Sequence, residues 1–182
     1  MSTILIVIAV VAVIALWVIG VQRKLVASDE ICNNALRQIN VQQVSRYDAL
    51  LALVKLCREY ATHEKDTLEE IVKLRKVTSS PNPTPSEISA NEAALNELSA
   101  KIIAVAEQYP DLKANTTYLK TMDEVKNYEE NVRLARMTFN DTVTKFNTQV
   151  RMFPTSIVAG MLGFPVKQYL EEDRKKAEYP SF

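Results

Sequence analysis

From Ile4 to Val21 the chain reads ILIVIAVVAVIALWVIGV, a run with no charge and no strongly polar side chain. Inside a hydrocarbon layer no water is present to satisfy backbone N–H and C=O groups, so such a run is restricted to helix. As a helix it is about 27 Å long, close to the hydrocarbon thickness of a bilayer. Ile4, Ile8, Val11, Ile14, Trp17 and Val21 then contact lipid, with Trp17 at the interface, and Gln22-Arg23-Lys24 closes the span. The competing reading is a cleaved leader. No lysine or arginine precedes the run, it is long for a leader's apolar region, and no small-x-small site directly follows it. No cysteine follows closely enough to carry a lipid. Residues 1–22 therefore read as a transmembrane anchor. Arg23, Lys24 and Arg37 all lie C-terminal to it, which places the N-terminus outside and the remainder in the cytoplasm of a single-pass cell-membrane protein.

Beyond the anchor the expectation is all-α. The chain has only three glycines, and apart from Pro81, Pro83 and Pro85 its prolines are isolated, so long stretches contain no helix breaker. Leu25, Cys32, Ile39, Arg46, Leu53 and Tyr60 recur every seventh residue, beside a second row of Leu36, Leu50, Cys57 and Ile71. Such a repeat marks a left-handed, coiled-coil-like seam, and it predicts a first helix from Gln22 to about Val77. A loop follows over 78–88, and Ser89 with Glu92 has capping-box spacing for a shorter helix to about Gln108. Tyr109-Pro110 ends that helix, and Asn115 or Thr116 opens a third, reaching Phe153. Its seam is Tyr118, Val125, Val132, Phe139, Phe146 and Phe153. A short apolar segment follows Pro154 and closes at Gly163-Phe164-Pro165. The predicted architecture is an up-and-down bundle of three long helices over 23–164, plus this short segment, with a charged tail at 165–182.

Arg46, Glu64, Glu129 and Arg136 stand where the seams call for apolar residues. One reading has them snorkel to solvent at the bundle edge. The other has a buried pair fixing helix register. If the first and third helices run the same way, Arg46 faces Glu129 or Glu64 faces Arg136, but straight helices do not permit both.

The middle helix is too short to cover the first. The uncovered stretch around Leu25, Cys32, Leu36 and Ile39 is the expected self-association contact of a homo-oligomer. A C-terminal segment covering it, or another membrane protein docking there, is the alternative. Cys32 and Cys57 lie about 37 Å apart on one straight helix, beyond disulfide reach, and read as reduced core residues.

Equal numbers of basic and acidic residues, 22 of each, leave no net charge and no basic stripe, which argues against a nucleic-acid partner. His63 is the single histidine. With Glu59 it shares a helix face, but two ligands on one helix fall short of a metal site, and no Glu-x-x-His pair recurs elsewhere. Histidine-based nucleophilic catalysis would have to use this same side chain beside Cys57 or a serine. No glycine-rich phosphate loop exists. Neither a cofactor nor an enzymatic activity is expected.

Tyr60-Ala61 with His63-Glu64, the turn Tyr109-Pro110-Asp111-Leu112-Lys113-Ala114-Asn115, then Glu129, Arg136, Phe139-Asn140-Asp141, Asn147, Phe153-Pro154 and Gly163-Phe164 together resemble the LemA family. The resemblance covers most of Arg37 to Phe164. The chain departs from the family pattern after Asp48, where Leu50-Leu51-Ala52 replaces an Ile-Pro-Asn, and at Glu130, which replaces an asparagine. The resemblance implies a membrane-anchored helical bundle with no established enzymatic activity, from a family tied to membrane organisation and envelope maintenance. The functional expectation is a self-associating scaffold that organises or shapes the membrane. The alternative is an adaptor for a membrane protease or sensor.

Overall fold

The computed structural model describes residues 1–60 and 80–170. All regular structure within them is helical: α1 (Ser2–Tyr60), α2 (Pro85–Gln108), α3 (Pro110–Lys113), α4 (Thr116–Arg151) and α5 (Thr155–Leu162). The span and the first bundle helix are one unbroken helix, which the sequence pattern left open; no proline interrupts it and Gly20 is its only glycine. Two compact units divide the chain, Met1–Asn34 with Phe139–Tyr169, and Ala35–Thr138 with Leu170–Phe182.

In the second unit, Thr84 caps α2. Its hydroxyl accepts from the Glu87 N–H at 3.2 Å, and the Glu87 carboxylate accepts from the Thr84 N–H at 2.7 Å. This capping box replaces the expected one at Ser89 and Glu92, so the helix starts at Pro85, inside the predicted loop. Proline at the first helical position lacks only an N–H that would be orphaned there anyway, and its fixed φ suits the helix. Ser89 instead bonds back to the Pro85 carbonyl, and Glu92 is released for another task. At the other junction Asn115 accepts from the N–H groups of Thr117 and Tyr118, at 2.8 and 3.2 Å, and so opens α4.

Helix directions follow from three contacts. Gln43 Nε2 donates to the Ile88 carbonyl at 2.9 Å, where α2 begins. Asn115 Nδ2 donates to Tyr60 Oη at 3.0 Å, and fourteen residues down α1 and up α4 Arg46 meets Glu129. Helix α4 is therefore antiparallel to α1. This corrects the expectation of three long helices in alternation, which would make the first and third parallel. Asn40 Nδ2 also donates to the Ser80 carbonyl at 3.0 Å. The expected continuation of the first helix to about Val77, with Glu64 and Ile71 in its seam, lies outside the described residues.

Among the described residues of this unit, four helices share one apolar cluster: Tyr47, Leu50, Leu53, Val54 and Cys57 of α1, Leu95, Leu98, Ile102 and Ala106 of α2, Leu112 of α3, and Tyr118, Met122 and Val125 of α4. Truncating one of its leucines to alanine costs about 2–5 kcal/mol, the usual range for a buried site.

In the first unit, Leu25 and Cys32 of α1, Phe139, Val143 and Phe146 of α4, and Val158 and Ala159 of α5 are buried. Gly163, at φ 74°, ends α5 in the left-handed region that glycine enters without steric cost.

Candidate functional site

Three features of this fold are candidates for function: the anchor, a buried charge network in the second unit, and a clasp beside the anchor in the first.

Ile4, Ile8, Val11 and Ile14 project into open space, as do their neighbours up to Leu16. No part of the most apolar eighteen-residue window of α1 is buried by the protein itself, and it is long enough to cross a bilayer. Exposure on every side of an apolar helix is the condition lipid satisfies and water does not. Burial starts only at the C-terminal end of the span. Trp17 is exposed, Val18 and Val21 are half-buried, and Arg23 and Lys24 are exposed.

In the second unit, α1 turns Gln43 and Arg46 into the bundle, and α2 adds Asn91; all three are buried. The Arg46 guanidinium, 2% exposed, lies 3.5 Å from the Glu129 carboxylate of α4, which is 36% exposed. Arg136 of α4 pairs with Glu92 of α2, and both side chains are largely covered. The network thus joins α1, α2 and α4 with two cations and two carboxylates. Burial pulls the Arg46 guanidinium below its usual pKa, and Glu129 and then Glu92 oppose that shift. An arginine remains charged throughout. The structure brings Arg46 and Glu129 together, but across antiparallel helices. Arg136 has Glu92 as its carboxylate, a partner absent from the seam reasoning because Glu92 had been given to a cap. Glu64 and His63 lie outside the described residues.

The clasp is built on Lys167. Its main chain exchanges two bonds with the Asn147 side chain, N–H to Oδ1 at 2.8 Å and carbonyl from Nδ2 at 2.9 Å. Its ammonium reaches Asp29 at 2.9 Å and Asn33 at 3.0 Å on α1, and passes 5.5 Å from the centre of the Phe146 ring. Phe164 meets Phe146 edge-on at 6.4 Å. Ser28 donates to Gln149 at 3.1 Å, so α4 itself is pinned to α1 at this level. Sequence reasoning had left Lys167 in the tail. The available signal was Asn147, a polar residue adjacent to the seam position Phe146.

Val125, Val132, Phe139 and Phe146 are buried. Phe153 is not: it is 79% exposed. Helix α4 stops at Arg151, and Pro154 disfavours helical geometry at the residue before it, so Phe153 leaves the face its spacing would have given it. Leu25, Cys32, Leu36 and Ile39 are all buried within the chain. They are therefore not open on the surface of the single chain, and Leu25 and Cys32 share a compact unit with residues 139–169. Burial also raises the Cys57 thiol pKa and, with Cys57 and Glu107 nearby, that of the Tyr118 hydroxyl. Both cysteines are free and buried. Among the described residues no group of three or more His, Cys, Asp and Glu side chains is placed to hold a metal ion.

Such an arrangement defines a membrane-anchored, all-helical bundle whose buried polar groups hold helices to one another. The LemA family model matches residues 35–182, and the chain belongs to that family. Protein LemA of Metamycoplasma hominis is 28% identical over 151 residues, which cover 79% of this chain and 66% of that protein. Magnetosome proteins MamQ 1 and MamQ 2 of Paramagnetospirillum magneticum are each 26% identical over 72 residues, 40% of this chain and 26% of theirs. The chain thus spans just under two thirds of the LemA relative and about a quarter of the MamQ proteins.

Proposed function

We propose that this protein is a non-enzymatic membrane scaffold that self-associates in the bilayer, with its N-terminus outside and its helical part in the cytoplasm. The observation that carries the reading is the use of the buried polar side chains. Gln43, Arg46, Glu92, Arg136 and Asn147 are all turned onto neighbouring helices or main chain. Groups committed in this way fix geometry and are not presented to a substrate. Self-association does not run through Leu25, Cys32, Leu36 and Ile39, which the chain itself covers; it uses the span and the outer helix faces.

The test is the oligomeric state of the full chain extracted in mild detergent, by light scattering, together with cross-linking in native membranes. Assemblies in both support the scaffold. A monomer in both refutes it, and a stoichiometric foreign membrane protein recovered in place of a second copy would make the protein an adaptor.

A further inference from the structure

Met152 to Val166 carries no charged side chain, between Arg151 and Lys167. In a water-soluble domain such a run is normally core. Here only Val158 and Ala159 are buried, while Met152, Phe153, Ile157, Met161, Leu162 and Val166 are exposed, Met161 by 82%. Contiguous exposed apolar surface of this kind marks an interaction site.

The first unit itself shows where this surface lies. Both ends of the run are held to α1 just beyond the span, Gln149 at Ser28 and Lys167 at Asp29 and Asn33. Val18, Val21, Leu25, Ser28 and Cys32 follow helical spacing on one face of α1. Val18 and Val21 are half-buried although they belong to the span. The other segment of the same compact unit is residues 139–169. Val18 and Val21 sit about 10–15 Å nearer the bilayer centre than Ser28. Because α4 runs antiparallel to α1, the run leaves the end of α4 in the direction of the span before it returns to Asp29 and Asn33.

We propose that residues 152–166 form a second membrane contact, with the outer flank of α5 seated in the interfacial layer of the bilayer beside the span. Lipid is the occupant because the surface is continuous with a helix that lipid already surrounds. The charges agree: Arg23 and Lys24 follow the span, Arg151 directly precedes the apolar run, and all three are exposed. An apolar flank in the acyl boundary with basic residues at its edge is the pattern of an interfacial helix. This inference is independent of self-association, since a monomer seats the same surface.

The experiment uses the full chain in vesicles of phosphatidylcholine and phosphatidylglycerol, with Met161→Cys carrying a nitrobenzoxadiazole dye. Ile157→Cys serves as a second site should the first variant misfold, and Ser86→Cys, an exposed bundle position, is the reference. Cys32 and Cys57 are buried, so labelling of the folded protein is confined to the introduced thiol. The expected result is blue-shifted emission, quenching by lipids bearing a nitroxide near the headgroup severalfold stronger than at the reference site, and shielding from aqueous iodide. Iodide quenching equal to the reference overturns the proposal. Shielding from iodide without lipid quenching also overturns it, because another protein surface would then cover the site.

Discussion

Arg46 is the least solvated charge among the described residues, and its two simplest substitutions are expected to differ in cost. At 3.5 Å from Glu129, the pair attraction is about 5 kcal/mol at an effective dielectric of about 20 and about 1 kcal/mol in water. Because Glu129 is 36% exposed, the value belongs near the lower end. The desolvation of Arg46 persists whether or not that partner is present. Glu129→Gln therefore leaves a buried cation less well compensated and is expected to destabilise the bundle by about 1–2 kcal/mol. Arg46→Met fills the same channel with an apolar side chain and lets Glu129 turn to solvent. Its expected effect is within about 1 kcal/mol of the parent, of either sign. Arg46 Nε makes no hydrogen bond among the described residues, which reduces what the methionine forfeits. Urea unfolding of the detergent-solubilised full chain, followed by far-UV circular dichroism, measures each variant and the double mutant. The reasoning fails if Arg46→Met costs more than Glu129→Gln, or if the two changes add to within about 0.5 kcal/mol.

Asn147→Leu removes both side-chain bonds to the Lys167 main chain and leaves those groups to find other partners. A loss of about 1–3 kcal/mol is expected in the same unfolding assay, with earlier protease cleavage near residue 167. The Glu87 carboxyl is held below its ordinary pKa of 4.5 by the Thr84 N–H and then the Thr84 hydroxyl. A lowered folded pKa means the capping box contributes fully above pH 4.5 and is lost as pH falls through the folded value. The stability difference between the parent and Glu87→Gln is thus expected to shrink below that pH. A constant difference there would show that the carboxylate is not what the cap uses.

Much of the fold was legible because periodicity reports directly on burial. Val125, Val132, Phe139 and Phe146 are seventh-residue neighbours, and all four are inside. The repeat could not report helix ends or direction. It ran past Arg151 into Phe153, although the helix stops at Arg151. Two boxes of identical spacing competed for the start of α2. The deciding signal was present in Pro85, whose fixed φ selects Thr84 as the cap and frees Glu92 for Arg136. The charge network was half legible: Arg46 and Glu129 stand out against their seams, whereas Glu92 looks like any surface glutamate until helix directions are known. Lys167 was hidden for a different reason. Its role depends on a fold-back after Gly163, and composition alone makes 165–182 look like a solvated tail.

The partial cover over Val18 and Val21 means that lipid does not meet the same object all round. On the open side of α1 the acyl chains can run alongside about 27 Å of apolar helix, from Ile4 to Val21. On the covered side the bare helix ends near Leu16, about 20 Å along, and the protein widens from there. With α5 seated beside the span as inferred above, the apolar surface on that side is broadened and not shortened. One leaflet then packs around a wide apolar foot, while the other meets a single rod.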